Sequence, residues 1–361
     1  MALTGHPGLD ELLDKRRVAG RHELAGVMRT LTDGAGPASA PERAWFEPRL
    51  FARLAQGGLT GMAIDQLLFD PDRDAVAITD DAGVAVFPGI GHIATGRPAA
   101  ECKLRYDAGR RVFTVLGDGG GEYPLEPSAF VPGTRIELAG PVDPVLRRFL
   151  DDNVEAPERL EPVAPEVAAG GLARAVELVT VVRPELAAAL IESVRSVLVF
   201  RHPGAESFAA LGMHGMIFIN LDENRHGSDA AFLLEHLVHQ GGHVLFSEAT
   251  LARPDFFRVD PDAALADCTP ATDRRTVYDL FHGLFTEHVE TQVFAAALAA
   301  GRVPAADRPA FEAHLAAVSG RHTRDLELLA PHAGTVFTPL GNDVHTQFGQ
   351  AHEQLRNLAT S

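Results

Sequence analysis

Cysteine is nearly absent. The chain of 361 residues has two, Cys102 and Cys268, far apart and in no C-x-x-C spacing. That excludes a disulfide scaffold, a cysteine-built zinc site and an iron–sulfur cluster. Positive charge is also scarce: 32 Lys and Arg stand against 49 Asp and Glu, a formal net charge of −17. Such a surface repels nucleic-acid phosphate and suits a basic or neutral peptide partner. Apolar runs of about 18 residues are missing, and the opening "MALTGHPGLDELLDKRR" is no basic-then-apolar leader. A membrane span and a secretory signal are therefore not expected, and the cytoplasm is the expected compartment.

What the chain has is enough apolar residue, 46%, for one large domain or two coupled ones. Residues 8–32 carry helical periodicity and are followed by the loop-like "GAGPASAPE". From about 74 to 140, short alternating runs such as "DAVAITDDAGVAVFPG" and "ECKLRYDAGRRVFTVLGD" are separated by Asp/Gly turns, the pattern of antiparallel hairpins. Helices return at "PVLRRFLDDN" and, after the connector "EAPERLEPVAPEVAAGG", at "LARAVELVTVVRPELAAALIESV". "SVLVFRHP" and "MHGMIFINL" read as two buried strands. A helix follows with Ser228 or Asp229 as cap, and then three more, over about 274–301, 308–331 and 345–358. The expected class is α+β: an N-terminal helical segment (1–45), a β-rich region (46–150) and a mainly helical C-terminal domain (151–361), with a zincin-like helix next to a small sheet.

Eight of the 16 histidines lie between residues 202 and 288: His202, His214, His226, His236, His239, His243, His282 and His288. His239 and His243 are four apart in "HLVHQGGHVLF", so on a helix both imidazoles project from one face and can reach one cation. His236 shares that face, with a structural role the better expectation because two ligands already define such a motif. Two glycines inside the motif cost a helix roughly 1 kcal/mol each relative to Ala, which a crowded site or an irregular helix would explain. In the metallopeptidase motif H-E-x-x-H the Glu accepts a proton from zinc-bound water; here Gln240 stands in its place, and a neutral amide cannot be that base. Oxygen activation at non-haem Fe(II) has no such requirement: it needs two histidines, a third ligand and open positions for a 2-oxo acid and dioxygen.

For the third ligand, "TVYDLFHGLFTEHVE" offers His282, Glu287, His288 and Glu290. His282, in apolar surroundings, is chosen. Glu287 is the alternative, completing a two-His-one-carboxylate set; Glu287 and Glu290 read otherwise as a solvated face. Arg275, seven residues before His282, is placed to pair with the distal carboxylate of a 2-oxo acid, with Arg274, Arg321 and Arg324 as competitors and Arg324 kept beside Arg275.

The succession "MHGMIFINL", "LLEHLVHQGGHVLF" and "VYDLFHGLFTEH" resembles the H-E-x-x-H motif-domain proteins found beside ribosomally made, post-translationally modified peptides, over about residues 170–345. That family includes Fe(II)/2-oxoglutarate-dependent peptide β-hydroxylases. The resemblance implies His239, His243 and His282 as iron ligands, 2-oxoglutarate as co-substrate and a precursor peptide as substrate. Gln240 departs from the family motif. Two other functions stay open: a zinc hydrolase with its base relocated to Glu235, Glu248 or Glu287, and a peptide-binding protein without catalysis.

Overall fold

The computed structural model describes residues 7–32, 41–57, 64, 66–68, 74–224 and 228–359. His226 and most of the expected loop at 34–42 lie outside them. The class is α+β, with small antiparallel and mixed sheets and a helical C-terminal region. Chain contacts divide it into two units. One comprises residues 1–21, 171–190 and 224–361; the other comprises 22–170 and 191–223. The expected boundaries near 45 and 150 do not match this division. The start of the N-terminal segment and residues 171–190, the helical stretch after the connector, group with the C-terminal helices, because a helix buries its apolar stripe against whatever stripe complements it, regardless of sequence order.

The β-bearing unit holds three sheets. Strands β1 (Ala75–Ile78), β4 (Glu101–Asp107), β5 (Val112–Gly117) and β6 (Glu122–Tyr123) form one, in the order β1-β4-β5-β6; β2 (Val84–Phe87), β3 (Gly91–Ala94) and β7 (Glu126–Pro127) form a second. Alternate residues of β1 to β5, among them Ala77, Phe87, Ile93, Leu104 and Val115, build one core. Cys102 belongs to it, and burial pushes its thiol up to about 11, so it behaves as a small apolar side chain. The third sheet runs β12 (Phe208–Ala209), β13 (Met216–Asn220), β11 (Ser196–Arg201), β9 (Glu137–Leu138), β8 (Ala129–Phe130), with β10 (Glu161–Pro162) also on β11. β11 is parallel to both β13 and β9. Its residues and those of β13 are nearly all buried, which explains their unbroken apolar sequences. Phe149, Phe208 and Phe218 stack in the core beside them.

The longer helices are α1 (Pro7–Leu31), α2 (Pro48–Ala55), α3 (Pro144–Asn153), α4 (Pro165–Val182), α5 (Pro184–Ser193), α6 (Asp229–Ala249), α7 (Val277–Ala299), α8 (Arg308–Leu329) and α9 (Pro339–Ala359). α4 starts seven residues earlier than the sequence suggests: Pro165 is tolerated in a first turn and Glu166 follows it, so the connector's end is helical. Ser228 caps α6 by accepting from the Ala231 amide, and Thr276 caps α7 by accepting from Asp279. Among the described residues no helix is long and apolar enough to cross a membrane.

Candidate metal centre

α6 and α7 pack side by side with opposite sense, bringing His243 level with His282 and His239 level with Glu290. Close approach is possible because of Gly242. A Cβ there would stand 3.3 Å from both Thr286 Cγ2 and Val289 Cγ2, so the glycine that is costly in an isolated helix lets the helices approach closely at this contact. The neighbours that Gly242 makes room for are Thr286 and Val289 of α7.

His243 meets His282 across this helix pair, with the His239 ring beside His243. His243 Nδ1 lies 2.5 Å from His282 Nε2, and the His239 and His243 ring centroids are 4.7 Å apart. Two nitrogens sharing one ion at about 2.1 Å each stand roughly 3 Å apart, a spacing close to that of the His243–His282 pair. Phe246 lies nearly parallel to His282 at 5.3 Å and gives it an apolar backing. All three histidines keep part of their surface open; His239, for one, is 28% exposed in its side chain. A ligand approaching from solvent could reach them.

Their electrostatics differ. Burial, together with neighbouring His282 and His239, pushes His243 far below the ordinary histidine range. Burial, His239 and Arg253 push His282 down to about 3. Both rings are therefore neutral at pH 7, the form in which imidazole binds a metal. For His239, burial opposes charge, but the Glu290 carboxylate outweighs it and raises the pKa. His239 Nδ1 donates to Glu290 Oε1, leaving Nε2 as the nitrogen for a ligand.

Glu290 is fully buried, not on the solvated face expected for it. Its second oxygen accepts from His314 Nε2 at 2.8 Å, and His314 Nδ1 lies 3.5 Å from Glu235 Oε2. Burial alone would raise the Glu290 pKa; the two histidines instead hold it well below the usual carboxylate range. A carboxylate that orients a histidine through its outer nitrogen is a recurring support for metal-binding imidazoles. Among the described residues, Glu235, Glu290 and His314 are the set whose ligand atoms all lie within 4.8 Å of one another and could accept a cation; His239, His243 and His282 do not come that close as a set. The donor set of three imidazoles, two of them neutral and the third oriented by a carboxylate, fits a transition metal of intermediate softness such as Fe(II) or Zn(II).

The other expected residues sort clearly. Gln240 is buried at 4% exposure, next to His239 in sequence. His236 packs edge-on against Phe232, at 4.3 Å, in keeping with a structural role. Glu287 turns toward α8, where Arg321 Nε lies 3.6 Å and His322 Nδ1 3.7 Å away; burial and Asp325 push its pKa up to about 8. His288 is buried beside the Phe348 ring, at 5.3 Å. Glu248 is committed to Arg21, at 2.6 Å.

Arg275 is a correction. α7 begins at Val277, so the helical spacing that aligned Arg275 with His282 does not extend to it, and its guanidinium forks onto Asp325, with two 2.8 Å contacts, and onto Asp273. Arg324 is exposed on α8, and Arg274 is 82% exposed. The arginine that bears on His282 is Arg253, which sequence reasoning missed. Its Cζ lies 4.1 Å over the Tyr278 ring, itself 5.5 Å from His282, and it pairs with the exposed Asp262 at 2.8 Å. Nothing local in the sequence marks Arg253; the surplus of histidine on α8 was the one available hint toward His314.

The chain matches no family model and no curated protein.

Proposed function

We propose that the protein is a metal-dependent oxygenase of the Fe(II)/2-oxoglutarate type that hydroxylates a side-chain β-carbon of a ribosomally made precursor peptide. The observation that carries this reading is the contact of His243 with His282, with His239 beside His243, on a helix pair whose motif position for a hydrolytic base holds Gln240. Those three histidines would hold the ion. When bound, iron with its 2-oxo acid supplies the oxidising chemistry.

The chain's own residues bind and orient. Glu290 fixes the His239 tautomer with Nδ1 protonated, and His314 keeps Glu290 ionised. Phe246 shields one side of His282 from water. Arg253, whose carboxylate partner among the described residues is the exposed Asp262, would receive the distal carboxylate of the co-substrate by exchanging one carboxylate for another. The negative surface suits a basic or neutral peptide.

A zinc hydrolase is a second reading; Glu287, the carboxyl its base would come from on α7, is turned toward Arg321 and His322 on α8. Anaerobic titration of metal-free protein with Fe(II) and then 2-oxoglutarate separates the two. The oxygenase gives the weak visible charge-transfer band of a chelated 2-oxo acid, lost in His282→Ala. Iron binding without that band, or binding of zinc alone, rejects the oxygenase.

A further inference from the structure

The β-bearing unit contains a cleft of about 430 Å³ between the β2-β3-β7 sheet and strand β9, within the size range of pockets that take a small ligand or one long side chain. Glu137, 7% exposed, forms part of its wall. Glu137 Oε1 accepts from the Gly89 amide at 3.0 Å and from Ser128 Oγ at 2.5 Å; neither bond uses Oε2. Arg49 is also in the wall, yet it is turned to other carboxylates: its Nε donates to Asp143 at 2.5 Å and its Nη1 to Glu47 at 3.0 Å.

Charge is out of balance here. Three buried carboxylates, Glu47, Asp143 and Glu137, face the guanidinium of Arg49, with Arg195 near Glu47, and the exposed rim adds Glu166 and Glu126, the latter paired with His92 at 3.1 Å. Burial raises the pKa of Glu47 against the pull of Arg49 and Arg195. The remaining wall is apolar and rigid: Val86, Leu138, Pro127, Pro141 and Pro165. A bare metal ion would need several converging oxygens, whereas one buried carboxylate behind apolar walls suits a cationic head on an aliphatic stem.

We propose that this cleft binds the cationic side chain of a lysine or arginine in a peptide partner, with Glu137 Oε2 receiving the head and the Val86/Leu138/proline wall covering the stem. The proposal is independent of the metal centre: it holds whether the partner is a substrate or only a ligand. Its test is calorimetric titration of the full chain, at low salt, with acetyl-Gly-Lys-Gly-amide, the arginine analogue and a norleucine analogue of equal length. The lysine or arginine peptide binds saturably in the millimolar range, the norleucine peptide at least about tenfold more weakly, and added salt weakens the interaction. Glu137→Gln lowers affinity about tenfold through loss of a charge-assisted bond. Should that variant not fold, the exposed double variant Glu126→Gln/Glu166→Gln still lowers affinity and flattens the salt dependence. Equal binding of the norleucine peptide, no saturable binding of either cationic peptide, or affinity unchanged in a folded Glu137→Gln protein overturns the proposal.

Discussion

Two buried carboxylates, Glu290 and Glu137, have opposite surroundings. Glu290 sits between two imidazoles and is held strongly ionised; Glu137 receives one amide and one hydroxyl on a single oxygen, in a neighbourhood where acids outnumber cations. The first is an internal support, already satisfied by protein. The second has acceptor capacity that protein does not use. A satisfied buried charge stabilises an arrangement, and an under-satisfied one is where a ligand adds most. The same contrast separates the arginines, since Arg275 is clamped by two aspartates while Arg253 shares one exposed aspartate.

The sharpest break of the comparison is at the ligands themselves. His239→Ala and His243→Ala each abolish tight Fe(II) or Zn(II) binding, measured by competition with a chromophoric chelator. Retention of full affinity in both would remove the metal centre, leaving the imidazole cluster a structural one. Next in size is Glu290→Gln. The amide cannot hold His239 as the carboxylate does, and metal affinity should fall about 10- to 100-fold, with the fold checked by circular dichroism. Glu137→Gln should leave metal affinity unchanged. Equal losses in the two variants would mean that either substitution merely loosens the fold.

These two interiors were unequally legible in the sequence. His239 and His243 are four residues apart on one helix, and one period of a regular element is all the geometry needed to place them together. His282 stood out through its apolar neighbours. Glu290 and His314 did not, because what buries them is the packing of α7 on α8, and a helix with polar residues on several faces reads as solvated until its neighbours are known. Arg275 misled for a related reason: helical phase was extended past Thr276, where the helix begins. The cleft around Glu137 was invisible, since its walls come from residues 49 to 166 through strand pairings of long sequence separation. Hairpin strands, by contrast, were readable from their alternation and Asp/Gly turns.

Gly242→Ala sharpens the account of how the helix pair forms. Alanine gains about 1 kcal/mol of helix propensity, yet its Cβ meets Thr286 and Val289 at 3.3 Å, and overpacking of this kind costs about 1–3 kcal/mol. The net outcome is destabilisation of about 1 kcal/mol in thermal or urea unfolding, with weaker metal binding because α6 and α7 are wedged apart. A variant more stable than the parent would show that the helices yield freely and that the glycine has another reason.

A smaller effect tests the polar face of α7 through pH. Two buried histidines near it, His322 and His352, are pushed down to about 4 by burial, so their folded state disfavours the charged form. Stability from these groups is present above the ordinary histidine pKa of about 6.5 and is lost as pH falls toward about 4. Glu287 works in the other direction. Burial and Asp325 raise its pKa to about 8, so the fold favours the neutral acid: its contribution is complete below about 4.5 and is lost as pH climbs toward about 8. Glu287→Gln keeps a neutral polar group at every pH. The variant should therefore match the parent in melting temperature near pH 5 and exceed it near pH 8, by about 2–4 °C per kcal/mol for a protein of this size. A variant that melts lower at pH 8 would mean that the ionised carboxylate is the form the fold uses, paired with Arg321, and would return Glu287 to the structural ion pairs.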